Sequence, residues 1–257
     1  MEIKKNTGFI DHNISRTGIA TIEFGHPMSN SLPGEILQKL ASSIEKLGKD
    51  EKVAVIILKS HGEKAFCAGA SFDELIAIQN LEQGKKFFSG FAKVINACRN
   101  CPKFIIGRVH GKAVGGGVGI AAAVDYCFAS NSAEIKLSEL AVGIGPFVVG
   151  PAVSRKIGLS AMSELAINAT EWRSATWAKQ NGLFAEVFDE IKDLDDAILK
   201  LAEKLAKSNP DAMSKLKKIF WEGTENWDTL LLERAEISGK LVLSDFTISA
   251  IQQFKKK

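Results

Sequence analysis

The chain has 257 residues, 46% apolar and 25% charged, enough to bury a sizeable core without disulfides or metals. Its formal net charge of +3 gives no electrostatic case for nucleic acid or a membrane surface. No apolar run reaches the ~20 residues of a membrane span, and no apolar core of a signal peptide follows Met1, so a cytoplasmic location is expected.

In chain order, a β-hairpin comes first. Residues 3–10 are mixed, and 14–24 alternate, with Ile19, Thr21 and Glu23 opposite Ala20, Ile22 and Phe24. Residues 26–31 read as a loop. Ile36, Leu37, Leu40, Ile44 and Leu47 stand at helical spacing between Pro33 and Gly48. The unbroken apolar run 53–58 suits a strand covered on both faces. Helices are expected at 72–78 and 84–98, a buried strand at 104–109, and a small-residue helix at 116–123. Strands follow at 125–129 and 135–137. Alternating strand and helix imply right-handed crossovers and a mainly parallel sheet, an α/β fold. After Glu139 the chain turns helical, at 149–157, 161–167, 174–181, 194–207, 210–220 and 227–242.

Two glycine-containing turns carry the chemistry: Cys67-Ala68-Gly69-Ala70-Ser71 and Gly115-Gly116-Gly117. Each joins a short apolar run to a helix start, where the first backbone N–H groups lack intrahelical partners. Two such donors aimed at one point would form an oxyanion hole, which implies acyl chemistry. Either turn alone also fits a tight connection packed under a neighbour. Three glycines opening a helix cost ~1 kcal/mol each in propensity, which argues for close backbone approach. Phosphate-loop and dinucleotide readings lack their GxxxxGK[ST] and GxGxxG patterns.

Glu139 is the third candidate. Apolar and small residues surround it in sequence, so a raised pKa and a proton-shuttling role are expected, against the alternative of a capping or ion-paired glutamate. His12, His26 and His61 fall in expected loops; His110 borders the glycine turn and reads as packed or as lining a site. Cys98 and Cys101 have CxxC spacing, but no second pair or nearby histidine completes a zinc site, and reduced structural thiols are expected. Lys255, Lys256 and Lys257 read as a solvated tail or as a phosphate-binding cluster beside Phe254.

Taken together, three segments resemble the crotonase, or enoyl-CoA hydratase/isomerase, superfamily over nearly the whole chain. They are Lys64 to Phe72, His110 to Gly119, and Leu137-Ser138-Glu139. Asp125 and the stretch 175–187 also fit. The resemblance implies a spiral of repeated ββα units, with an acyl-CoA-binding core over residues 1–190 and a helical oligomerisation region over 191–257. It implies a coenzyme A thioester as partner, no separate cofactor or metal, and a homotrimer or hexamer. Ala70 and Gly116 would donate to the thioester carbonyl, with Glu139 as the acid–base group. Ser29, Ala68, Gly69, Phe72, Gly115, Gly117, Phe254 and Lys257 would contact the ligand, with its acyl tail along 72–91.

One departure matters. Hydratases of this family usually carry a second catalytic glutamate where this chain has Gly119. Isomerisation needs only one base, so it is the expected reaction. Hydration is the alternative, and a non-catalytic acyl-CoA-binding member is another. The modest charge and single tyrosine argue against RNA binding.

Overall fold

A computed structural model describes residues 7–254. Strands β1 (Phe9–Ile14) and β2 (Ile19–Gly25) form the antiparallel hairpin. Its turn lies inside the expected strand 14–24, because Gly18 takes φ +80° and Ser15 Oγ accepts from the Ile19 N–H. Helix α1 (Gly34–Lys49) buries Ile36, Leu37, Leu40, Ile44 and Leu47 along one face, each worth about 1.5–3 kcal/mol in transfer from water.

A repeating path follows. Strand β3 (Val55–Ser60) leads to β4 (Ala65–Cys67), then to helices α2 (Phe72–Ile76) and α3 (Leu81–Asn100). Strand β5 (Phe104–Val109) leads to β6 (Lys112–Val114) and helix α4 (Gly116–Ala123). Strand β7 (Tyr126–Ser130) leads to β8 (Glu134–Lys136) and a 3-10 turn at Glu139–Val142. Each circuit thus lays one strand in a large sheet and the next in a small one. The remaining strands are β9 (Arg173–Ser174) and β10 (Glu186–Phe188). The large sheet runs β1-β2-β3-β5-β7-β10, parallel from β2 onward, and the small one β4-β6-β8-β9. The expected parallel α/β spiral is therefore present.

Helix α3 begins three residues before its expected start. Asn80 accepts from the Gln83 N–H, and Gln83 Oε1 accepts from the Gln79 N–H, a reciprocal cap that outweighs weak amphipathicity in the first turn. Helix α5 (Gly150–Ile167) contains the two expected pieces, kinked at Gly158. Helices α6 (Ala175–Gln180), α7 (Ile191–Ala206), α8 (Pro210–Phe220), α9 (Trp227–Leu241) and α10 (Asp245–Phe254) complete the chain. Leu194, Ile198 and Ala202 of α7 pack on Val55, Ile57, Ile106 and Phe128 of the large sheet.

A buried ion pair ties α8 to the spiral. Lys217 Nζ lies 2.7 Å from Asp125 Oδ2, and both side chains are almost fully enclosed. The same carboxylate accepts from the Ile105 N–H, while Lys217 also donates to the Lys103 carbonyl. Cys67, Cys98, Cys101 and Cys127 are buried free thiols. Burial pushes Cys67, Cys98 and Cys127 up to about 12, which makes them poor nucleophiles.

Candidate active site

The small sheet assembles the site. Cys67 of β4 pairs with Ala113 of β6, and Val114 of β6 pairs with Lys136 of β8, all parallel. Three circuits of the spiral therefore end side by side, and each strand continues into one candidate segment: Ala68-Gly69-Ala70, Gly115-Gly116, and Leu137-Ser138-Glu139. Ligand sites of parallel sheets sit at this carboxyl edge. The strands are only three residues long, so register, more than bulk, positions the groups.

Ala70 forms a parallel bridge with Leu32. The bridge uses its neighbours: the Leu32 N–H donates to Gly69 O and the Ser71 N–H donates to Leu32 O. The N–H of Ala70 itself therefore points away from Leu32. Gly116 is the first residue of α4, so its N–H has no intrahelical acceptor. The two turns touch: a Cβ added at Gly69 would sit 3.2 Å from Val114 O and 3.9 Å from the Gly116 nitrogen. Gly115, at φ +52° and ψ −112°, makes the sharp entry to α4, and its own N–H donates to Lys136 O at 2.9 Å. A Cβ there would lie 2.8 Å from Glu139 Oε1, so glycine meets both a backbone and a steric demand.

Ala68, Gly69, Ala70, Phe72, Gly115, Gly116 and Glu139 all line one cavity of about 350 Å³, within the range of small-molecule sites. Leu75, Phe87, Phe88 and Phe91 form an apolar wall, where the acyl tail was expected. Glu139 opens its 3-10 turn and reaches the surface in part, but Oε2 is enclosed and unpartnered. Burial pushes this carboxyl from 4.5 up to about 7, partly opposed by its own backbone N–H. Among the cavity-lining residues it is the sole acid.

Other candidates lie elsewhere. Gly117 is absent from the lining and packs on Cys67, whose carbonyl oxygen would be 2.5 Å from an added Cβ. Ser29 is exposed, at φ +53°, and supports the first turn through its carbonyl, which accepts from the Ala68 N–H at 3.2 Å. His110 is 3% exposed and outside the lining; burial, then the Arg108 guanidinium, pushes it down to about 4. Phe254 ends α10, and Lys257 falls outside the described residues. Gly119 is closed off: a Cβ would lie 2.5 Å from Val149 Cγ1. Val149, itself a lining residue, thus fills the space a side chain there would need. The sequence reading missed Val149, Trp172 and Lys136. For Lys136 the signal was present, since Ile135 and Leu137 are buried and alternation sends the intervening lysine to the opposite face.

Such a spiral, with Ala70, Gly116 and Glu139 brought to one cavity at the carboxyl edge of its small sheet, is a crotonase fold. The family model for Enoyl-CoA hydratase/isomerase matches residues 15–243; the chain belongs to this family. It is 33% identical over 200 residues to the mitochondrial methylglutaconyl-CoA hydratase of Mus musculus, covering 76% of this chain and 63% of that protein. The match thus spans less than two thirds of that relative. It is 26% identical over 211 residues to the peroxisomal Delta(3,5)-Delta(2,4)-dienoyl-CoA isomerase of Arabidopsis thaliana, covering 76% of this chain and 74% of the isomerase. The crystal structure of enoyl-CoA hydratase from Bacillus halodurans superposes with a TM-score of 0.88 at 18% identity, over 95% of this chain and 99% of that one. Among the described residues, no helix is long and apolar enough to cross a membrane.

Proposed function

We propose that this protein moves the double bond of an enoyl-CoA, with Glu139 as the single proton carrier. The observation that carries this reading is the solitary carboxylate, together with the closed space at Gly119. The thioester oxygen accepts from the N–H groups of Ala70 and Gly116. Ionised Glu139 takes a proton from C2 of a 3-enoyl thioester, the electron pair delocalises toward the carbonyl oxygen, and a dienolate forms. The protonated Glu139 then delivers its proton to C4, which leaves the 2-enoyl isomer. Both donors bind the dienolate oxygen more strongly than the neutral carbonyl, so they favour the transition state. A carboxyl near 7 can accept and return a proton at neutral pH. Backbone around Ala68 and Phe72 holds the adenine end. The expected assembly is a trimer or paired trimers.

Hydration of a 2-enoyl-CoA is the second reading, favoured by the hydratase named above. It requires Glu139 and an ordered water to replace a two-carboxylate arrangement. A non-catalytic acyl-CoA binder would give affinity without turnover. Separate incubations with 3-enoyl-CoA and 2-enoyl-CoA, followed by product analysis, distinguish the three. Double-bond migration is expected; water addition without migration sinks the isomerase reading.

A further inference from the structure

The cavity holds a cation that the proton chemistry does not use. Lys136 is the last residue of β8, and its ammonium lies 4.3 Å from the centroid of the Trp172 ring. Lys112 Nζ lies 4.4 Å from the same ring. Both lysines and the indole therefore form one cluster, of which Lys136 and Trp172 line the cavity. The charges are not equally answered. Lys112 pairs with Glu134 at 3.1 Å, whereas Lys136 makes no ion pair among the described residues, and Glu139 Oε2 has no hydrogen-bond partner. One positive charge thus remains uncompensated at the wall of a mainly apolar cavity. An indole face orients an ammonium but does not neutralise it.

Resting on the acyl-CoA reading above, we propose that Lys136, oriented by Trp172, accepts an anionic group of the ligand, and that this group is a carboxylate carried by the acyl chain. Placement favours that source over the phosphates of coenzyme A. Lys136 precedes Glu139 by three residues, a span of about 10 Å at most in extended chain. A carboxylate a few carbons beyond the reacting centre matches that separation. The phosphates lie beyond the whole pantetheine arm, on the other side of the thioester.

The test measures binding, so it does not depend on which reaction occurs. Calorimetry compares saturated thioesters of equal length, hexanoyl-CoA and adipoyl-CoA, and the corresponding pantetheine thioesters, which lack the diphosphate and 3′-phosphate. Wild type is expected to favour the carboxylate-tipped ligand by about 10- to 100-fold, the range for a hydrogen bond to a charged group, in both series. Lys136→Met should collapse that preference, and Lys136→Arg should retain most of it. Trp172→Leu, which leaves the lysine but removes its platform, should reduce it partially; thermal melts check that each variant folds. Equal wild-type affinity for the two tips overturns the proposal while leaving acyl-CoA binding intact. A Lys136→Met loss equal for both tips, and confined to the CoA series, overturns it in favour of a phosphate contact. Failure of every thioester to bind rejects the acyl-CoA reading and the proposal together.

Discussion

Glu139→Gln should make the protein more stable at alkaline pH and far less active. Burial raises the carboxyl from 4.5 to about 7, so the folded state holds this proton more tightly than the unfolded chain. The stabilisation from protonated Glu139 is complete below pH 4.5 and is lost as pH rises through 7. At ~1.4 kcal/mol per pKa unit, ionising the enclosed carboxylate costs the folded state about 3 kcal/mol by pH 8.5. Glutamine keeps the shape and does not ionise. The stability difference between variant and wild type should therefore grow by about 3 kcal/mol between pH 4.5 and pH 8.5, in the variant's favour.

Urea denaturation of both proteins at several pH values across that window measures the difference. Turnover of an enoyl-CoA in the same preparations should fall by ~100-fold or more, since the proposed acid–base group is gone. Such a trade of stability for activity is common where a site holds an unfavourable charge. A stability difference flat with pH would refute the reasoning, because Glu139 would then titrate as it does in water. Unchanged turnover would move the proton transfer to another group.

Three further outcomes follow from the same geometry. The wild-type kcat/KM should rise with pH to a plateau, with a midpoint near 7, because the free enzyme must present ionised Glu139; a profile falling through that range would mean that the carboxylic acid is the active form. Gly119→Ala should lower stability by about 1–3 kcal/mol through overpacking against Val149, and Val149→Ala in the same chain should restore much of it; denaturant midpoints of the single and double variants decide. Lys217→Met strands the buried Asp125 carboxylate and should cost about 3–5 kcal/mol. Adding Asp125→Asn should cost less than that single change, whereas additive losses would mean that the pair is not coupled.

Long periodic segments were legible in the sequence. Helices α1, α4, α8 and α9 and strand β5 fall where apolar spacing put them, within a residue or so. Of the small sheet only β8 was legible, expected at 135–137 and found at Glu134–Lys136. Strands β4 and β6 are three residues each, too short to show alternation, and their pairing depends on register across the spiral. The residues of the two turns stood out for a different reason: glycine at a helix start opposes local propensity, and such a conflict needs a cause. That cause proves to be geometric at Gly115, where the φ of +52° and Glu139 exclude a side chain, and it is packing at Gly117. Resemblance had grouped these two glycines as ligand contacts, but only Gly115 lines the cavity.

The missing acid at position 119 illustrates the limit of reading a site by its charged residues. In the sequence it is an absence; in the fold it is Val149 occupying the space. Gly119→Glu alone would therefore place a carboxylate where no room exists, so it is not expected to create hydratase chemistry. The cavity has, in exchange, a cation at Lys136 and an enclosed acid whose pKa lies near neutrality. A second acid beside Glu139 would raise its pKa further by like-charge repulsion, and the loss of that repulsion keeps one carboxylate able to work alone as base and then as acid. That single carboxylate, beside an apolar wall and Val149, is what supports the proposed reading in which the proton, and not water, moves.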